Sequence, residues 1–229
     1  MELSDKERLV GVSFNNKQLL TQAFTHRSYI NENRGTKMQH NERLEFLGDA
    51  VLELITTEFL YERFPNRNEG ELTAIRAALV NTITLSEVSS ELNFNSELLL
   101  SKGERKDTGR ARQAILANTF EAVIGAIFLD QGFEAARAFI SKNLLPRTER
   151  IVEEGLWVDA KSKFQEKSQE HMGATPIYQT LNEAGPDHDK QFTVGLFVKD
   201  QKISSGTGRS KQDAEQAAAR EALKAQKWL

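Results

Sequence analysis

The chain has no cysteine, so neither a disulfide framework nor a cysteine-bound zinc can hold it together. Its four histidines, His26, His40, His171 and His188, stand at no metal-ligand spacing, and nothing assembles a Ser/His/Asp or Cys/His nucleophile. No apolar run reaches the roughly 20 residues of a membrane-spanning helix. The opening MELSDKERLV lacks the basic-then-apolar layout of a secretion signal. The expectation is a cytoplasmic protein with no membrane partner. An excess of positive charge is also missing: 30 Lys and Arg face 33 Asp and Glu, a net charge of −3. The balance is uneven, however. From Asp159 to Leu229 there are 11 basic and 10 acidic residues, and before them 19 and 23. Contact with a polyanion must come from local patches.

The 229 residues suit one large or two modest domains, without internal repeats or low-complexity segments. Residues 1–153 read as helix after helix. Ser4 with Glu7 forms a capping box, and Asn15 or Asn16 caps a second helix carrying Leu19, Leu20, Ala23 and Phe24. A polar loop follows from Asn31 to Gln39. One long helix is expected over Glu69–Leu92, another over Arg112–Asp130 with Gly132 beyond it, and a last over Phe133–Val152, bent or broken at Pro146. Residues 154–159 read as a linker. In residues 160–229 a helix precedes strands near Ile177–Leu181, Gln191–Lys199 and Lys202–Ser205, the second alternating through Phe192, Val194, Leu196 and Val198. Ser210 then caps an Ala-rich helix. The fold class is an all-α domain followed by a small α+β domain of order α-β-β-β-α.

The chain is organised around His40–Glu53, HNERLEFLGDAVLE, whose helix is expected to end at Phe64-Pro65. On a helical wheel Leu44, Leu47, Val51, Leu54 and Ile55 share a core-facing arc. Glu42, Glu45, Asp49 and Glu53 share the opposite arc, with Phe46 among them. Like charges at this spacing cost a helix about a few tenths of a kcal/mol per pair. A solvated acidic face would carry such a row, and so would a site for Mg²⁺, which prefers carboxylate oxygens. The Arg112–Asp130 helix has a second polar stripe, Asn118 and Glu121, beside Ala122 and Gly125, whose small size lets another helix come close. Glu45, Asp49 and Glu121, with Asn118 and Glu42, could converge on one or two Mg²⁺ ions suited to phosphodiester hydrolysis.

NERLEFLGDAVLE (Asn41–Glu53) resembles the signature of bacterial ribonuclease III. EGELTAIRAALV (Glu69–Val80) and ILANTFEAVIGAIFLDQG (Ile115–Gly132) resemble that family's later blocks, in the same order. The tail resembles its double-stranded-RNA-binding domain. The resemblance implies a homodimeric endonuclease that cleaves duplex RNA with Mg²⁺, Mn²⁺ being able to substitute, and leaves 5′-phosphates, 3′-hydroxyls and two-nucleotide 3′ overhangs. It implies metal-binding roles for Glu45, Asp49, Asn118 and Glu121, with Asp49 and Glu121 catalytic. Glu42 and Glu69 match secondary acidic positions, and Phe46 matches an aromatic that plugs into the partner subunit. Asn118 is a departure, since the family usually has Asp there. The expectation is weakened metal affinity with chemistry retained. The competing expectation is a catalytically impaired, dimeric duplex-RNA-binding protein.

Duplex RNA is read by shape, through minor-groove hydroxyls and phosphates over about 16 base pairs. By resemblance, Gln165 and Glu166 on the tail's first helix and His188 in the Gly185–His188 loop are minor-groove contacts. Arg209, Ser210 and Lys211 open the last helix, where backbone N–H groups favour a phosphate. Gln212 stands where family members commonly carry a second Lys.

Overall fold

The computed structural model describes residues 4–106, 108–186 and 190–228. It divides into two compact units, Met1–Glu154 and Gly155–Leu229.

The first unit is helical. Helix α1 (Asp5–Val10) opens with the Ser4–Glu7 capping box. Glu7 is buried. Its carboxylate accepts hydrogen bonds from the Phe14 and Ser4 amides at 2.9 and 2.7 Å and lies 3.1 Å from the Lys17 ammonium. These bonds, that from Phe14 first, hold its pKa at about 2. Asn16 caps α2 (Lys17–Ala23). Helix α3 (Arg27–Glu32), capped by the His26 side chain, was not expected from the sequence, because six residues without a buried face leave no apolar period.

Helix α4 (Glu42–Arg63) ends at Phe64, before Pro65, as expected. Leu44, Val51 and Ile55 are buried, but Leu54 is 58% exposed, so it does not belong to the core arc. The single helix expected over Glu69–Leu92 is two, α5 (Glu69–Leu79) and α6 (Thr82–Glu91). Asn81 separates them: its backbone is extended and its side chain accepts from the Thr84 amide at 2.8 Å. The apolar spacing runs through the break, so the cap was the only local signal. The helix expected over Phe133–Val152 is likewise α8 (Phe133–Asn143) and α9 (Arg147–Glu153), with Pro146 at the start of α9.

Between α6 and α8 in the chain runs α7 (Arg110–Gln131), the centre of the unit. From Ile115 to Ile127 every residue is buried except Asn118 and Glu121, which are half-buried. By length and composition α7 could cross a membrane, against the expectation of no such run. However, 61% of its most apolar stretch is buried within the unit, which marks it as a core helix. Phe24, Phe94, Phe120 and Phe139 make a chain of ring contacts across this core at 5.1, 6.5 and 5.4 Å.

In the second unit, α10 (Ala160–Met172) is capped by Asp159 and ends at Gly173 in the left-handed region. Strands β1 (Ile177–Ala184), β2 (Gln191–Val198) and β3 (Gln201–Gly208) form an antiparallel sheet in that order. Helix α11 (Lys211–Ala225) follows, capped by Ser210. Val194, Leu196 and Val198 are buried, as are Phe164 on α10 and Ala218, Ala219, Ala222 and Leu223 on α11. Helix α11 lies directly on β3: a Cβ on Gly206 would stand 2.2 Å from the Ala218 amide nitrogen.

Candidate active site and RNA-facing surface

Two glycines decide how the acidic residues meet. A Cβ on Gly48 of α4 would stand 1.7 Å from the Glu121 carbonyl oxygen of α7, and one on Gly125 would stand 2.2 Å from the Leu44 carbonyl oxygen. Each glycine admits the other helix's backbone, so α4 and α7 touch main chain to main chain. Glu45 and Asp49 flank this contact from α4, and Asn118 and Glu121 from α7. Asn41, the first residue of the signature, anchors the start of α4. It is buried, donates from its amide to the Ala23 carbonyl at 3.2 Å, and takes the Thr25 carbonyl on its backbone N–H.

The electrostatics follow from that proximity. Burial raises the pKa of Glu121 to about 8, with further contributions from the charges of Asp49 and Glu45. Glu45 is raised by burial and then by Glu42, with Asp49 adding to the rise and the Asn118 amide opposing it. Among the described residues no basic side chain forms an ion pair with Glu45, Asp49 or Glu121. Carboxyl groups whose ionisation is opposed by burial and by one another are ones that a divalent ion would stabilise in the charged form, which meets the donor chemistry of such a site. Among the described residues no three acidic or His side chains form a ready-made metal cage. Mg²⁺ does not require one, because it keeps several waters and binds through one or two carboxylates.

The other residues singled out from the sequence divide. Glu42 belongs to the group, since its charge acts on Glu45. It also lies 3.5 Å from the Arg27 guanidinium and 3.7 Å from the His40 ring. Glu69 is exposed in the first turn of α5. Phe46 is 81% exposed. Beside it lies a hollow lined by Leu19, Leu44, Leu47 and Leu129.

On the second unit, Gln165 and Glu166 are exposed on α10 and line a shallow groove with Ser162 and Gln169. Arg209 is exposed. The Ser210 hydroxyl accepts from the Asp213 amide at 3.1 Å and donates to its carboxylate at 2.7 Å, so capping occupies it. The Lys211 ammonium lies 3.0 Å from the Glu183 carboxylate. His188 lies outside the described residues.

The ribonuclease-III-like family model matches residues 16–148, and the double-stranded RNA binding motif matches residues 160–226. The chain is 46% identical to "Ribonuclease 3" of Bdellovibrio bacteriovorus, over 95% of this chain and 93% of that one. It belongs to the ribonuclease III family. "Ribonuclease 3" of Geobacillus kaustophilus is 45% identical over 97% of this chain and 89% of its own. The crystallised nuclease domain of ribonuclease III from Campylobacter jejuni is 39% identical, with a TM-score of 0.54, and matches 62% of this chain and 93% of that one. The chain is an endoribonuclease built as a helical nuclease unit followed by a double-stranded-RNA-binding unit. Its least legible feature was the pairing of Gly48 with Gly125. Gly125 was expected from its small size to admit a neighbouring helix, and it does, but nothing in the sequence named α4 as that helix or Gly48 as its counterpart.

Proposed function

We propose that this family member is a homodimeric, Mg²⁺-dependent enzyme of the cytoplasm, with Mn²⁺ able to substitute. It cuts both strands of duplex regions in precursor ribosomal, messenger and other structured RNAs. Its products carry 5′-phosphates, 3′-hydroxyls and two-nucleotide 3′ overhangs. The backbone contact at Gly48 and Gly125 carries this reading, because it sets Glu45, Asp49, Asn118 and Glu121 along one seam. Glu45, Asp49 and Glu121 would hold the cation, the latter two being the catalytic pair, with the Asn118 amide oxygen as a neutral donor. When bound, such an ion supplies Lewis acidity toward a phosphate and lowers the pKa of its water. Burial of Glu121 keeps its carboxylate out of bulk solvent, and the buried Asn41 fixes the start of the helix that carries Glu45 and Asp49. Glu42 and Glu69 would act at the periphery of the site.

The test is cleavage of long duplex RNA over a Mg²⁺ titration, with end groups read on the products. Asn118→Asp restores a charge to the seam and should lower the Mg²⁺ concentration for half-maximal cleavage by roughly tenfold, about 1.4 kcal/mol of binding. An unchanged requirement would refute the role given to Asn118.

Dimerisation rests on Phe46. An 81% exposed Phe beside an apolar hollow suits a reciprocal contact in which each copy's ring enters the other's hollow. Burying a Phe is worth roughly 1.5–3 kcal/mol. Phe46→Ala should therefore raise the dimer dissociation constant by at least about tenfold in sedimentation equilibrium. A parent protein that sediments as a monomer at high micromolar concentration would contradict the dimer.

A further inference from the structure

Glu183 is the last but one residue of β1, Lys190 immediately precedes β2, and Lys211 opens α11. Their side chains meet. The Glu183 carboxylate is shared between the Lys211 ammonium at 3.0 Å and the Lys190 ammonium at 3.4 Å. Both lysines also lie over one ring, Phe192 at the start of β2, with centroid distances of 5.7 Å for Lys211 and 5.9 Å for Lys190. Three elements thus hold two cations around one oxyanion, against an aromatic face that keeps their stems in place.

We propose that this is a phosphodiester site of the RNA-binding unit, in which Lys190 is a second phosphate contact beside Lys211 and Glu183 is a built-in competitor. A phosphodiester presents two anionic non-bridging oxygens much as a carboxylate presents two, so the position held by Glu183 is one that a backbone phosphate can take. Lys190 reaches the carboxylate from the residue before β2, and Lys211 from the first turn of α11. The proposal rests on the reading of this unit as a duplex-RNA binder and adds two residues and a regulating charge to it. The ion pairs are partly exposed, so displacing Glu183 costs little but not nothing. Its effect is a brake on non-specific affinity that applies to every sequence alike, because phosphates carry no sequence information. The lowered pKa of Glu183, due mainly to Lys211, agrees with the pairing.

The test is fluorescence anisotropy of a labelled duplex RNA with the full chain in chelator, where cutting is suppressed, across a salt series. Glu183→Gln keeps the shape and removes the charge. It should tighten binding on the order of three- to tenfold at moderate salt. Lys190→Ala should weaken binding and lower the slope of log K against log salt by about one. Equal or weaker binding by Glu183→Gln, or an unchanged slope for Lys190→Ala, overturns the proposal while parental binding keeps the duplex-RNA reading intact. A parent that binds no duplex removes both.

Discussion

Glu121→Gln should slow cleavage of duplex RNA by roughly a hundred- to a thousand-fold or more, and it should make the metal-free protein harder to unfold at pH 8. The first effect follows from losing a ligand to the ion that stabilises charge in phosphodiester hydrolysis, a contribution of several kcal/mol. The second follows from burial. Glu121 has its pKa raised from 4.5 to about 8 by burial and by the charges of Asp49 and Glu45. Well below pH 4.5 the carboxyl is protonated whether the chain is folded or not, and parent and variant should be equally stable. Between pH 4.5 and about 8 the unfolded chain releases this proton while the folded chain retains it. The parent therefore loses stability as pH rises, and the loss is complete above about pH 8. Gln does not titrate, so the variant should gain on the order of 4 kcal/mol over the parent at pH 8. Thermal unfolding in chelator at pH 4 and pH 8 reads this difference. Added Mg²⁺ should then raise the parent's midpoint much more than the variant's. Equal midpoints at pH 8, together with undiminished cleavage, would remove Glu121 from the site.

Gly48→Ala should be among the most damaging conservative substitutions in the nuclease unit. The new methyl would fall 1.7 Å from the Glu121 carbonyl oxygen and 2.9 Å from the Gly125 amide nitrogen. Both are main-chain atoms of α7, so no side-chain rotation relieves the overlap, and the helices must separate. Overpacking a core typically costs about 1–3 kcal/mol and sometimes more; here the upper end applies, read as a lower urea midpoint. Moving α4 off α7 also pulls Glu45 and Asp49 from Glu121, so cleavage should fall at least about tenfold even at temperatures where the variant stays folded. Gly35→Ala is the control. A Cβ there meets nothing within 4 Å, and both stability and cleavage should match the parent. If Gly48→Ala behaved like this control, the close contact would have no role in building the site.

Several parts of the fold were readable because their causes are local. Ser4, Asn16 and Ser210 cap the helices they precede, through bonds to amides two or three residues on. Pro65 ends α4 by its effect on Phe64 alone. The alternation of β2 survives as buried Val194, Leu196 and Val198. The failures are those of a pattern with two solutions. The apolar spacing from Glu69 to Leu92 continues across Asn81, and only the backbone shows that the chain turns there. Leu54 fits a core arc on a wheel, yet 58% of it remains exposed, because among the described residues no element covers that part of α4.

By itself the sequence determined the oxygen-rich rows on two helices, the elements that carry them, and the change from helical period to strand alternation beyond Glu154. It did so because caps, breakers and side-chain periodicity act within a few residues. Only the tertiary structure decided that Gly48 faces Gly125 and that Glu183 holds Lys190 and Lys211 together. Each of these depends on residues far apart in the chain: Gly125 marks room for a close neighbour, but which segment takes that room, and which three side chains meet, is set by neither segment alone.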